Sequence, residues 1–97
     1  MTQRAIVGFE GRNGFQHAKV KGRELWALDQ LRRAGARGCS TIDSPAPRWS
    51  GYIHNLRKAG IPIQTIYEAH GGEFPGTHAR YILNSLVLFL WLVDGKG

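Results

Sequence analysis

Apolar side chains recur at Trp49, Ile53 and Leu56, the i, i+4, i+7 spacing that gathers three residues into one narrow sector of a helical wheel. A helix over about residues 48–59 buries these three and turns Arg48, Gly51, His54, Asn55 and Lys58 to the opposite side, with Ser50, Tyr52 and Arg57 on the flanks. Pro47 suits its start, where a missing N–H would have had no partner, and Gly60 stops it. An earlier helix is predicted over residues 23–34, where Leu25, Leu28 and Leu31 recur at threefold spacing beside Trp26, and Gly35 follows as a C-cap. Arg32 and Arg33 fall in its last turn, where cations relieve the macrodipole. Between the two, residues 38–47 are turn-rich. Ser44-Pro45-Ala46-Pro47 leaves room only for a short or irregular helix, with Ser40 or Thr41 as its cap and Ile42 as its buried anchor.

After Gly60 the period changes. Residues 61–68 are rich in β-branched and aromatic side chains and follow a period of two imperfectly, as a partly buried strand does, and Pro62 places the start at an edge. Residues 70–77 form a loop by their glycine and proline content. Residues 78–83 return as a strand alternating His78, Arg80 and Ile82 with Ala79, Tyr81 and Leu83, so the two strands make a hairpin with a long tip. Ahead of the helices, residues 1–17 scatter Gly8, Gly11 and Gly14 among isolated aromatics and charges with no sustained period. A flexible basic arm is expected there, in which Ala5-Ile6-Val7 can pair as a short strand, followed by a short strand at residues 18–21. The strongest apolar run, residues 86–93, is eight residues long, less than half of the roughly 20 that span a bilayer as a helix. It has three readings: an extra strand covering the sheet, a dimer contact, or an aggregation-prone edge.

Charge narrows the choice of partner. With 13 Lys+Arg against 7 Asp+Glu, the net charge is +6 and the pI about 10.1, which favours polyanions and makes nucleic acid the default partner. A chain of 97 residues holds one domain with a modest core and no deep substrate cleft, and its 42% hydrophobic share argues for a folded protein. The single Cys39 makes neither an internal disulfide nor a thiolate zinc cluster, and no apolar run follows a basic start, so a cytoplasmic address is expected. Catalysis finds no support: Cys39 lacks a nucleophile signature, and Gly8, Gly11 and Gly14 lack the strand-to-helix context of a dinucleotide site. His70 and His78 would supply a metal with only two ligands. No enzymatic activity, cofactor, metal, membrane partner or small-molecule substrate is expected.

Helix, strand, glycine-rich loop, strand is the order of a winged helix-turn-helix. This α+β fold has about three helices and a hairpin wing, and it inserts one helix into a DNA groove while the wing grips the flanking backbone. The side chains suit that use. Arg48 can bond guanine bidentately and Asn55 adenine likewise, Ser50, Tyr52 and Arg57 can reach phosphate, and His54 and Lys58 add hydrogen-bonding capacity and charge. Gly51, inside a helix, costs ~1 kcal/mol relative to alanine and invites a reason such as close approach of a ligand. Thr77, His78 and Arg80 sit where a wing touches phosphates. The plain alternative is the solvated face of an amphipathic helix beside an unbound surface loop.

Four runs carry a resemblance: Val20-Lys21-Gly22-Arg23-Glu24-Leu25-Trp26-Ala27-Leu28, Gly38-Cys39-Ser40-Thr41-Ile42-Asp43, Pro47-Arg48-Trp49-Ser50-Gly51-Tyr52-Ile53, and His70-Gly71-Gly72-Glu73-Phe74-Pro75-Gly76-Thr77-His78-Ala79-Arg80-Tyr81. Together with Leu56-Arg57-Lys58-Ala59-Gly60 they resemble small bacterial and phage-like winged helix-turn-helix domain proteins over roughly residues 20–84. The resemblance implies a winged-helix domain at residues 18–97 behind the arm at 1–17, and binding of double-stranded DNA. The helix at about 48–59 would lie in the major groove and the wing at 70–78 on the backbone, for transcriptional regulation, and the dimer reading of residues 86–93 would let a homodimer read two half-sites. Residues 86–93 are more hydrophobic than a wing strand leads one to expect. They keep open an alternative, a protein-interaction module that assembles through its apolar C-terminal segment.

Overall fold

Trp49, Ile53 and Leu56 are each 1% exposed, as their spacing dictates, and the elements assemble around them. The computed structural model describes residues 4–11, 13–40, 48–73 and 75–93, the last three of these as backbone alone. In chain order they form β1 (Arg4–Gly11), β2 (Gly14–Lys21), α1 (Gly22–Ala34), a 3₁₀ turn (Gly35–Arg37), β3 (Cys39–Ser40), α2 (Trp49–Lys58), β4 (Ile63–His70), β5 (Gly76–Leu83) and β6 (Val87–Val93). The strands make two antiparallel sheets of three, ordered β2-β1-β6 and β3-β5-β4.

One core joins both sheets to the helices. Ala5, Val7, Phe9, Val20 and Val87 come from the first sheet, Leu25, Leu28 and Leu31 from α1, and Cys39, Ile63 and Tyr81 from the second sheet. The Trp49 ring lies 5.6 Å from Trp26 of α1 and 6.2 Å from Tyr81 of β5, so α2 is wedged between the other helix and the hairpin. Gly35 ends α1 as expected, with φ of 59° and its N–H on the Leu31 carbonyl. Arg32 and Arg33 both reach back to Asp29, at 2.8 and 2.9 Å.

The flexible arm expected over residues 1–17 is instead, from Arg4 onward, a hairpin paired from Arg4↔Lys21 to Gly11↔Gly14, and the expected strand at 18–21 is the end of β2. Ala5, Val7 and Phe9 do alternate inward, but Ile6 and Gly8 stand where polar residues would have made the period visible. Gly8 has a packing reason, because a Cβ there would meet Phe15 Cζ at 2.5 Å and Leu90 Cδ1 at 3.0 Å across the outer face. The apolar C-terminal run is an extra strand, yet it extends the N-terminal hairpin through Phe9↔Val87 to Arg4↔Val93 rather than covering the other sheet.

The described residues contain two α-helices and the 3₁₀ turn, where about three helices are expected. Cys39 and Ser40 are strand, while Thr41, Ile42 and the Pro45 and Pro47 segment, on which the expected short helix and its cap fall, lie outside the described residues. The β4–β5 hairpin is longer than predicted and its tip shorter, since β4 continues to His70 and β5 begins at Gly76.

Gly35 and Gly38 both hold positive φ, but they differ in surroundings: a Cβ at Gly35 meets open space, whereas one at Gly38 runs into the Tyr81 carbonyl oxygen and the Ile82 side chain. Gly35→Ala is expected to destabilise by about 1–2 kcal/mol from backbone conformation alone, and Gly38→Ala by more than twice that. Denaturant unfolding of the two variants side by side measures this, and equal losses would contradict the close fit of Gly38 against β5.

Candidate nucleic-acid interface

α2 presents Arg48 at its N-terminal cap and Ser50, His54, Asn55, Arg57 and Lys58 to solvent, with Gly51 half-exposed among them. Tyr52 is different. It is 7% exposed, and its hydroxyl accepts a hydrogen bond from Arg23 Nε at 3.1 Å, so the flank assigned to it on the wheel is interior. The reason is that α2 buries four positions, Trp49, Tyr52, Ile53 and Leu56, the broad stripe of a helix packed on more than one neighbour.

Two further residues of that helix already hold partners. Asn55 Nδ2 donates to Glu24 Oε1 of α1 at 2.9 Å. Arg57 donates from Nε and Nη2 to the Ile63 carbonyl at 3.2 and 2.8 Å and also bonds Thr65 Oγ1, which clamps the end of α2 to the start of β4. By contrast Arg48 and Lys58 hold no acceptor among the described residues. The Arg48 guanidinium lies over Gly51, 3.9 Å from where a Cβ would stand, which is ordinary contact. Among the described residues, packing therefore does not require glycine at position 51.

On the hairpin, register separates two faces. Gln64, Ile66, Glu68 and His70 share one face with Gly76, His78, Arg80 and Ile82, while Thr65, Tyr67 and Ala69 share the other with Thr77, Ala79 and Tyr81. Thr77 is exposed. His78 and Arg80 are not free wing contacts: their side chains are 11% and 19% exposed, and both reach Glu68 Oε1 at 2.8 Å. Arg80 Nη1 also donates to the Arg37 carbonyl at 3.0 Å. His70 Nδ1 lies 2.9 Å from His78 Nδ1, so one ring donates the single proton between them and the other accepts it. The hydrogen bond from Arg80, and then that from His78, holds the Glu68 carboxyl below the usual glutamate range.

Tyr67 was not singled out by its sequence pattern. It is 75% exposed and lines an open cleft of about 300 Å³ with Ser50, His54, Arg57 and Thr65, between α2 and β4. The alternation that buries Ile63 carries Tyr67 to the same face, but β4 outruns the core there. Among the described residues, no group of three or more His, Cys, Asp or Glu could hold a metal ion, and no helix is long and apolar enough to cross a membrane.

Residues 17–92 match the family model described as a winged helix domain. No curated protein and no solved structure matches the chain.

The Glu68 network has a pH signature. A carboxyl that titrates lower in the folded state than in the unfolded chain contributes stability in full above the unfolded value, about 4.3, and loses it as pH falls through the lower folded value. The difference in Tm between the wild type and Glu68→Gln should thus shrink as pH is lowered from about 5 toward 3, followed by thermal melts. Parallel curves would mean that Arg80 and His78 do not stabilise the charged form.

Proposed function

Since the chain belongs to the winged helix domain family over residues 17–92, we propose that it binds double-stranded DNA and regulates transcription, with α2 in the major groove and the β4–β5 hairpin along the neighbouring backbone. The observation that carries this reading is the outer face of α2. Arg48, Ser50, Gly51, His54 and Lys58 stand together in solvent over a fully buried stripe, on a chain of net charge +6.

The partners already found divide the work. Arg48 is the base-reading cation, able to bond guanine through two N–H groups, while Ser50, Lys58, Thr77 and Tyr67 lie where phosphate oxygens pass. Asn55 reads a base only by giving up Glu24, so its contribution is an exchange of one hydrogen bond for another. Arg57, His78 and Arg80 act by fixing the hairpin relative to the helix.

A second reading rests on its own observation. β6 is an edge strand of the first sheet, and Leu86, Leu88 and Leu90 are exposed at 75, 43 and 48%. Such an edge pairs readily with another chain, which favours a homodimer assembled through β6.

Three outcomes are expected. First, duplex affinity falls steeply with salt, by about 0.9 in log K per log unit of salt for each phosphate contact, and Arg48→Ala with Lys58→Ala weakens it; binding indifferent to both salt and these substitutions would overturn the reading. Second, Gly51→Ala raises unfolding stability by roughly 0.5–1 kcal/mol through helix propensity while lowering duplex affinity, because the methyl group keeps the helix from the groove. Gains in both would remove Gly51 from the interface. Third, light scattering after size exclusion gives a dimer mass for the wild type and a monomer mass for Leu88→Lys; a monomeric wild type at high concentration excludes the β6 dimer.

A further inference from the structure

We infer that Arg4, Lys19 and Lys21, at one corner of the N-terminal sheet, form a second phosphate-binding site for the duplex held by α2; this rests on the DNA-binding reading above. Arg4 stands directly opposite Lys21, and Lys19 opposite Ile6, so the three cations share the outer face. Side chains directly opposite are about 5 Å apart at Cβ, and two residues along a strand advance about 6.6 Å. The corner therefore brings three positive charges within the reach of neighbouring phosphates on one strand, which carries a charge every 3.4 Å or so of helix axis.

Like charges directly opposite weaken a strand pair, and among the described residues no acidic side chain offsets this one. All three side chains are exposed, and none has an acceptor among the described residues. Other cations are used differently: Arg32 and Arg33 hold Asp29, Arg57 holds Ile63 and Thr65, and Arg80 holds Glu68. The acidic residue on this sheet face, Glu10, lies at the far end of β1, about 20 Å along the strand from Arg4. An open cleft of about 510 Å³ at this corner is lined by Arg4, Ile6, Lys19 and Lys21 together with the inward-facing Ala5 and Val20.

Lysines on an edge strand often serve only to prevent edge-to-edge pairing, and β2 is an edge. That accounts for Lys19 and Lys21 but not for Arg4, which sits on the central strand β1. Position supplies the remaining reason. Lys21 stands at the position before α1, and Arg23 and Glu24 in the helix's first turn bond Tyr52 and Asn55 of α2. The basic corner is thus joined to the candidate reading helix through two or three residues of chain, and a duplex lying on α2 passes beside it.

The test is a salt series of duplex titrations on the full chain, comparing the wild type, Arg4→Gln with Lys21→Gln, Arg48→Ala, and Arg33→Gln as a control that removes an equal charge per site from the Asp29 pair. The expected result is a salt slope reduced by about 2 in the double variant, with every duplex sequence weakened alike, no change in slope for Arg33→Gln, and altered sequence preference for Arg48→Ala. Matching Tm values establish that the variants are folded, and Lys19→Gln with Lys21→Gln gives an independent pair. An unchanged slope in both pairs, with Arg48→Ala still impaired, overturns the corner and leaves the α2 reading standing. A slope that falls equally for Arg33→Gln shows a net-charge effect and also overturns it. If the wild type binds no duplex, both inferences fail together.

Discussion

The contact on which the rest depends is the insertion of Trp49 between Trp26 and Tyr81, with rings 5.6 and 6.2 Å apart. Aromatic pairs at these separations add to the hydrophobic free energy of a large buried side chain, and here one ring serves three elements at once. It sets the tilt of α2 against α1 and holds the β4–β5 hairpin at the helix's other side. The exposed face of α2 is consequently a by-product of burial: once Trp49, Ile53 and Leu56 are inside, Arg48, Gly51 and His54 have no choice but to face water. A surface of this kind is rigid because it is the back of the core.

Around that face the chain separates cations that build structure from cations that stay available. Arg57 locks helix to hairpin and Arg80 locks the hairpin's outer face through Glu68 and the Arg37 carbonyl. Arginine suits both tasks, since its planar fork satisfies several oxygens in fixed geometry. Arg48 and Lys58, by contrast, hold no acceptor among the described residues and keep their charge at the surface. The charge at the surface and the ion pairs that hold the fold thus rest on largely different residues.

What could be read from the sequence follows from the range of each interaction. The α2 stripe was legible because burial there is decided by residues three and four apart, and the C-cap at Gly35 by those just before it. The hairpin was legible from its alternation, although its strands run further into the glycine-rich tip than composition suggests, because backbone pairing continues to His70↔Gly76. The N-terminal hairpin was hidden by Gly8, whose missing side chain looks like a loop signal but makes room for Phe15 and Leu90. At the site, the exposed face of α2 could be anticipated in part and engagement could not: Asn55, His78 and Arg80 looked like open contacts, and the acceptors that occupy them come from α1, β4 and the turn after α1. Tyr52 was misplaced for the same reason, since Arg23 reaches it from another helix.

The pairing of β1 with β6 carries a kinetic consequence. Arg4 meets Val93 and Phe9 meets Val87, so the central strand of one sheet stays half-bonded until the chain has left the ribosome past residue 93. Contacts of such sequence separation slow folding, because the loop must close before any pairing rewards it. During that interval β1 offers an open apolar edge to any neighbouring nascent chain, and β6 is the strand that closes it.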